Sequence, residues 1–137
     1  MSHVRTQLRT ALVATLTGLA TTGNRVHASR MRPQGAEQIP CLLVTTGDER
    51  IESAAQGFGP LDRQLTVHVR GFAFGVLADN TLDQIALEVE TALTGSAYTL
   101  EGIEVDFDDE LDRPVGSITL TYQIPYFTQA GNPGVSA

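Results

Sequence analysis

The stretch from residue 115 to 128, VGSITLTYQIPYFT, constrains the fold more than any other part of this sequence. Its β-branched and aromatic residues alternate with hydroxyl and amide residues, which is typical of a half-buried strand. At about 3.3 Å per residue, the part from Gly116 to Tyr126 extends roughly 35 Å. A compact chain of this length has a radius of gyration of about 14 Å, so the strand crosses nearly the whole domain. We therefore expect the rest of the chain to pair with this strand or to pack on it.

The alternation predicts a sheet with one apolar face and one polar face. A second alternating stretch, residues 63–74, contributes to the same two faces. The polar face is expected to carry hydroxyl, amide, imidazole and guanidinium groups, from Thr66, His68, Arg70, Ser117, Thr119, Thr121 and Gln123. Such a face is either solvated or a docking surface for a partner.

The whole chain predicts two amphipathic helices and five strands in the order α-β-β-β-α-β-β. We place the helices at 2–20 and 79–94, and the strands at 24–31, 39–46, 63–74, 103–111 and 115–128. This order favours an α+β fold, with an antiparallel or mixed sheet and both helices on one face. Residues 1–128 are expected to form a single domain. The glycine-containing stretch 47–60 is predicted to be a flexible loop, and 129–137 a flexible tail.

Gly71 interrupts the alternation of the strand at 63–74, because Phe72 and Phe74 follow on the side that should be polar. A bulge at Gly71 would return both rings to the core. Without a bulge they would form an exposed aromatic pair that marks a contact surface. We expect the bulge. In the strand at 103–111, Val105 and Phe107 are expected to point inward.

Charge is distributed very unevenly along the chain. The net charge is −7, and all nine basic residues are arginines. Five of them and no acid lie in the first 36 residues, whereas the rest of the chain holds 16 acids and four arginines. Seven acids lie between Glu101 and Asp112. This asymmetry predicts a strong dipole unless the fold brings the two ends together.

Oppositely charged patches favour head-to-tail contacts between copies, which close into a ring or continue as a filament. Arginine suits such contacts because its guanidinium binds a carboxylate with two parallel hydrogen bonds. Reversing Glu104, Asp106 and Asp108 to arginine should therefore abolish assembly. The candidate residues for the subunit interface are Arg5, Arg9, Arg30, Arg32, Glu104, Asp106, Asp108 and Asp109.

Patterns that carry catalytic or metal chemistry are not found in the sequence. It contains no G-x-S-x-G, P-loop or H-E-x-x-H motif, and its three histidines share no ligand spacing with each other or with Cys41. Cys41, in an apolar run, is expected to be a buried thiol. The acidic run at 106–112 either holds a divalent ion loosely or, as we expect, forms a solvated edge. We expect no enzyme activity, cofactor or metal.

Binding to nucleic acid or to a membrane is also disfavoured. The chain is acidic, has no lysine, and interleaves no aromatic residues with its arginines, which opposes a nucleic-acid surface. No signal peptide opens the sequence, and no apolar stretch approaches the length of a membrane span. We therefore expect a protein that stays in the cytoplasm of its producing cell.

Several sequence pieces resemble the tail terminator proteins of long-tailed, siphovirus-like phages, the lambda-type minor tail protein U family. They are V-R-x-x-L at 4–8, R-M-R-P at 30–33, I-P-C-L-L-V at 39–44, D-x-x-L-D-x-I-A-x-E-V-E-x-A-L at 79–93 and P-V-G-x-x-x-L-T-Y at 114–122. The likeness spans nearly the whole chain. Its motifs are structural.

The resemblance implies a small fold that assembles as a hexameric ring on the end of the tail tube, stops tube polymerisation and joins the head–tail connector. It places the protein in the virion at the head-proximal end of the tail, after assembly in the host cytoplasm. It implies no catalytic residue, and nucleic acid would only pass through the ring. Candidate contacts with the tube or the connector are Arg50, Phe58, Arg63, Arg70, Gln129 and Asn132.

Two other classes of protein remain open. A head–tail connector or completion protein would share the size and the lack of chemistry, and only its position in the virion would distinguish it. A small enzyme or ligand-binding dimer would need a concave pocket with perturbed titratable groups.

Overall fold

The computed structural model describes residues 3–28, 39–53, 61–74, 78–95, 98–108, 115–129 and 132–136. Two helices, α1 (Val4–Leu16) and α2 (Ala78–Leu93), accompany six strands. The strands are β1 (Val26–Ala28), β2 (Cys41–Ser53), β3 (Leu61–Phe74), β4 (Thr99–Asp108), β5 (Val115–Gln129) and β6 (Asn132–Ser136). The predicted α+β class and the order of elements through β5 are confirmed.

The strands form one mixed sheet in the order β1-β2-β3-β5-β4. β1 runs parallel to β2, and the other neighbours are antiparallel. β5 pairs with β3 along its whole length and with β4 along the half that begins at Val115. β6 pairs with the far end of β5, around Thr128 and Gln129. The alternating stretch that dominates the sequence is thus the strand that connects three others.

Both helices cover the same face of the sheet, and the main core lies between them and the strands. Strand residues on this face alternate as expected, and the largest fully buried side chains in this core include Leu12, Leu16, Leu42, Leu65, Leu82, Ile85 and Leu120. Helix α1 ends at Leu16 rather than at the predicted Ala20. Thr17 already has an extended backbone, with ψ of 133°, and Gly18 follows at a φ of 95° that favours glycine. Neither described helix has the length and apolarity needed to cross a bilayer.

The predicted bulge at Gly71 is wrong. β3 keeps an unbroken register with β5 through this residue, and Gly71 faces helix α2. A β carbon there would lie 2.7 Å from Cγ2 of Ile85, so glycine is needed for the close approach of the helix. Phe72 consequently lies on the opposite face. It is buried there in a second, small cluster with Cys41, Leu43 and Val115, and Phe74 packs against that cluster partly buried. The expected burial of Cys41 is confirmed.

β2 extends beyond the predicted strand. The sequence predicts a loop over 47–60, but residues 47–53 continue β2, and 54–60 lie outside the described residues. A bulge between Thr46 and Glu49 interrupts the pairing with β3. Similarly, part of the predicted flexible tail forms β6, because its backbone pairs with the end of β5.

β4 begins earlier than predicted, at Thr99, and extends to Asp108, while the predicted strand residues 109–111 lie outside the described part of the chain. Val105 and Phe107 lie on the face that carries the helices, opposite Ile118 and Gly116. They are nevertheless 50% exposed, because α2 packs mainly on β3 and β5 and leaves this part of the outermost strand in solvent. The predicted inward direction of these two side chains is therefore confirmed, but the core does not extend far enough to bury them.

Candidate functional site

A buried ionic network lies beside the amino-terminal end of α1, and the bulge in β2 creates it. The bulge sets one extra residue into β2, so that Glu49 lies opposite Leu65 and faces the helices. The carboxylate of Glu49 lies 3.5 Å from the guanidinium of Arg63, which is itself only 7% exposed. Arg63 also donates to the hydroxyl of the buried Thr128 at 2.8 Å. We call these residues, with Tyr126, the Arg63 cluster.

Tyr126 completes the Arg63 cluster from β5. Its hydroxyl donates a hydrogen bond to Oε1 of Glu49, and its ring lies 6.0 Å from the guanidinium carbon of Arg63. Burial raises the pKa of the phenol to about 12, and the hydrogen bond to the negatively charged Glu49 acts in the same direction. The phenol therefore stays protonated and keeps donating throughout the neutral range.

Helix α1 is fastened to the bulge by two of its arginines. Arg5 donates to the carbonyl of Gly47 at 2.9 Å and lies 3.8 Å from the carboxylate of Glu49. Arg9 donates to the hydroxyl of Thr46 at 2.9 Å. Both are predicted interface residues, and in the structure both contact their own sheet. Their charges serve first to position α1.

The polar face predicted for the sheet is confirmed. Gln123 donates to the hydroxyl of Thr66 at 2.7 Å, and His68 lies 3.3 Å from the hydroxyl of Thr121. These side chains bond across the β3–β5 pair. At one end of this face, residues of β2, β3, β4 and β5 surround an open polar depression of about 450 Å³, lined by Asp48, Glu49, Arg50, Gln64, Thr66, Glu101 and Gln123. Within the described part of the chain, no three His, Cys, Asp or Glu side chains are placed to hold a metal ion.

The outermost strand, β4, presents an apolar row and an acidic row on its two faces. Ile103, Val105 and Phe107 form the apolar row and are 44%, 50% and 50% exposed. Glu104 and Asp106 lie on the opposite face, where they flank Thr119 and Ser117 of β5, and both are exposed. The sequence correctly predicts a charged side of this strand, but the apolar row is exposed as well. A contiguous exposed apolar row on an edge strand is typical of a contact surface.

The other predicted contact residues are placed as follows. Arg63 is inside the Arg63 cluster and is not a surface group. Arg70 lies over the ring of Phe72, with 5.5 Å between the guanidinium carbon and the ring centroid. Arg50 is exposed beside the polar depression. Asp108 ends β4, and Gln129 pairs with Asn132 between β5 and β6. Arg30, Arg32, Phe58 and Asp109 lie outside the described residues.

Sequence reasoning missed the acid and the phenol of the Arg63 cluster. Tyr126 is recognisable as an inward-facing residue of β5, but its partner is not. A strict alternation continued from Leu42, Val44 and Thr46 would turn Asp48 inward instead of Glu49. The Gly-Asp pair before Glu49 is the signal that a bulge reverses the alternation there.

Comparison with known proteins gives a likeness in fold. No protein-family model matches this chain, and no curated protein matches it. A chain in a solved structure described as "Virion of native gene transfer agent (GTA) particle" is similar to it, with a TM-score of 0.54 and 19% sequence identity over 92% of both chains. At this identity the likeness concerns the fold, and it extends over nearly the full length of each chain. The chain described above therefore has the fold of a protein found in a gene transfer agent particle.

Proposed function

We propose that this chain is a structural protein of a phage-like virion and that it acts as a tail terminator. The observation that carries the proposal is the fold likeness to a chain of a gene transfer agent virion, which covers 92% of both proteins. The resemblance of the sequence to tail terminator proteins gives the finer assignment. In this role the protein forms a ring, proposed to be hexameric, on the finished tail tube and presents a surface to the head–tail connector.

The surfaces of the chain support a role in assembly. An uncovered edge strand with an apolar row and an acidic row suits contacts with other protein subunits. The buried polar groups of the Arg63 cluster bond to one another and hold α1 on the sheet, which is a structural use of ionisable residues. We propose that the protein performs no catalysis and needs no cofactor, and that its partners are other copies, the tube protein and the connector protein.

The experiment is to delete the gene for this chain from the genome that encodes the particle and to examine the resulting heads and tails by electron microscopy. If the chain is a tail terminator, we expect its absence to give tails of uncontrolled length that are not attached to heads. Returning the wild-type chain should restore tails of uniform length, and a labelled chain should be seen at the head-proximal end of the tail. Normal tails attached to heads in its absence would overturn the proposal. Tails of normal length that fail to attach would instead identify a head–tail completion protein.

A further inference from the structure

We propose that copies of this chain join by extension of their sheets, with the β4 edge of one copy against the β1 edge of the next. β4 and β1 are the two terminal strands of the five-strand path β1-β2-β3-β5-β4. A terminal strand presents backbone donors and acceptors along its outer side, which another strand can pair with. This inference deepens the proposed function, because it names the surfaces through which a ring would form.

The apolar row of β4 is the first observation that calls for an occupant. Ile103, Val105 and Phe107 leave about half of each side chain in solvent on the outermost strand, beside the β3 and β5 strands on which α2 packs. Single exposed apolar residues are common on protein surfaces, but three in one row on an edge strand are a liability for an isolated subunit. A neighbouring subunit that covers this row removes the liability and gains the free energy of apolar burial.

The charge of β4 excludes a second β4 as that occupant. Residues 98–108 contain four acids and no base, and Glu104 and Asp106 lie exposed on one face. Two such strands in contact would bring like charges together across the pair, which is destabilising. The occupant must therefore carry positive charge, and the interface cannot be a symmetric pairing of β4 with itself.

The opposite end of the sheet carries that positive charge. The described residues 24–28, which include β1, contain one arginine and no acid. Arg25, just before β1, donates to the carbonyl oxygens of Pro40 at 2.6 Å and Thr21 at 3.2 Å. These partners are neutral, so its positive charge is not cancelled by them. The β1 end of one copy is thus complementary to the β4 end of another.

The position of the two edges makes the contact directional. They lie at opposite ends of one sheet, so each copy uses a different surface toward each of its two neighbours. Contacts of this heterologous kind generate rings when the rotation between copies closes. A copy whose β4 edge is disabled still offers an intact β1 edge. It can therefore bind the end of a growing assembly but cannot extend it.

The test uses the full chain and the double variant Val105→Thr/Phe107→Thr, which makes the apolar row polar and keeps good strand formers. Light scattering measures molar mass over a range of concentrations. We expect wild-type oligomers and a variant whose dissociation constant is raised about 100-fold, as two partly exposed apolar side chains lose their burial. Leu87→Gln, which changes an apolar residue 58% exposed on α2 and away from both sheet edges, is the control and should assemble like the wild type.

Mixing the proteins tests direction. Excess double variant added to the wild type should lower the mass of wild-type oligomers, because the variant caps them through its β1 edge. Three results would each overturn the inference: the variant alone forms oligomers as large as those of the wild type, the variant is excluded from wild-type oligomers, or the wild-type chain stays monomeric. None of these results bears on the tails of particles that lack the chain, which test the proposed function separately. Circular dichroism and the unfolding midpoint check that the variant is folded.

Discussion

Glu49 and Arg63 lie 3.5 Å apart, carboxylate Oε2 to guanidinium Nη1, and both side chains are more than nine-tenths buried. The pair joins β2 to β3. From β5, the hydroxyl of Tyr126 donates to Glu49, and the hydroxyl of Thr128 accepts from Arg63. Three strands and the start of α1 thus meet at one charged centre on the helix-covered side of the sheet. Buried ion pairs contribute little net stability, but removing one partner leaves an uncompensated charge in a dry site.

The variant Glu49→Gln should therefore be strongly destabilised. It keeps the size of the side chain and an acceptor for Tyr126 but leaves Arg63 buried without its counter-ion. We expect a loss of about 3 kcal/mol in the free energy of unfolding, measured by urea titration. Glu90→Gln, an exposed acid on α2, is the control and should change little. Equal stabilities of the two variants would show that Arg63 does not depend on Glu49.

Stability should decrease at alkaline pH because of two tyrosines. Burial raises the pKa of both Tyr122 and Tyr126 from 10.0 to about 12, with Glu90 adding to the first effect and Glu49 to the second. Their phenols keep their protons in the folded chain when the unfolded chain releases them. The resulting stability is complete below pH 10 and is lost as the pH rises to about 12.

Unfolding free energies measured across this interval should show the decline. Tyr122→Phe should reduce the slope by about half, since one of two such groups is removed. An unchanged slope in this variant would mean that Tyr122 does not contribute.

Gly71→Ala should push α2 away from the sheet. The added methyl would lie 2.7 Å from Cγ2 of Ile85 and 3.3 Å from Cγ2 of Ile118. We expect a cost of about 2 kcal/mol from overpacking. Ile85→Ala removes the nearest atom, so the double variant should be less destabilised than the sum of the single ones, and urea titration of all four proteins measures this coupling. Strict additivity would contradict the contact.

Glu88 should contribute stability that is lost in acid. Its carboxylate accepts from the backbone N–H of Thr21 at 2.9 Å and from the hydroxyl of Thr21 at 2.6 Å, and thereby ties the turn after α1 to α2. Burial acts to raise the pKa of Glu88, but the hydrogen bonds from Thr21 and Gln84 together hold it below the ordinary value of 4.5. The stabilisation is therefore present above pH 4.5 and is lost as the pH falls through the lowered pKa.

Comparing Glu88→Gln with the wild type over this acid range isolates the effect. The variant should lose less stability on acidification, because it has no proton to take up at this position. Asp83→Asn, an exposed acid on the same helix, is the control and should follow the wild type. Parallel curves for Glu88→Gln and the wild type would contradict the role of Thr21.

Periodicity predicts the frame of this fold because the central strands bury the alternate side chains that face the helices. In β5 every second residue from Ile118 to Tyr126 is buried, as the alternation requires. Periodicity fails where contacts between distant elements decide the local structure. Gly71 looks like a break in a strand, but the nearby helix residue Ile85 requires it.

The candidate surface on β4 shows a second reason for failure. Val105 has the pattern of a buried residue, and only the position of α2 over β3 and β5 leaves it exposed. The acidic side of the same strand was predictable, since charges have no place in an uncompensated core. The sequence therefore indicates which residues share a face, whereas the extent of the helix layer determines which of them meet solvent.

The bulge at Gly47–Asp48 also makes chain length important at this end of the molecule. Losing one of these two residues would make β2 regular and leave Glu49 opposite Leu65, still directed at Arg63. Gaining a residue in the stretch that follows would turn the remaining side chains of the strand over, because facing depends on odd or even position. Related chains can therefore be expected to differ by a deletion at Gly47–Asp48 more readily than by an insertion between Glu49 and Ser53.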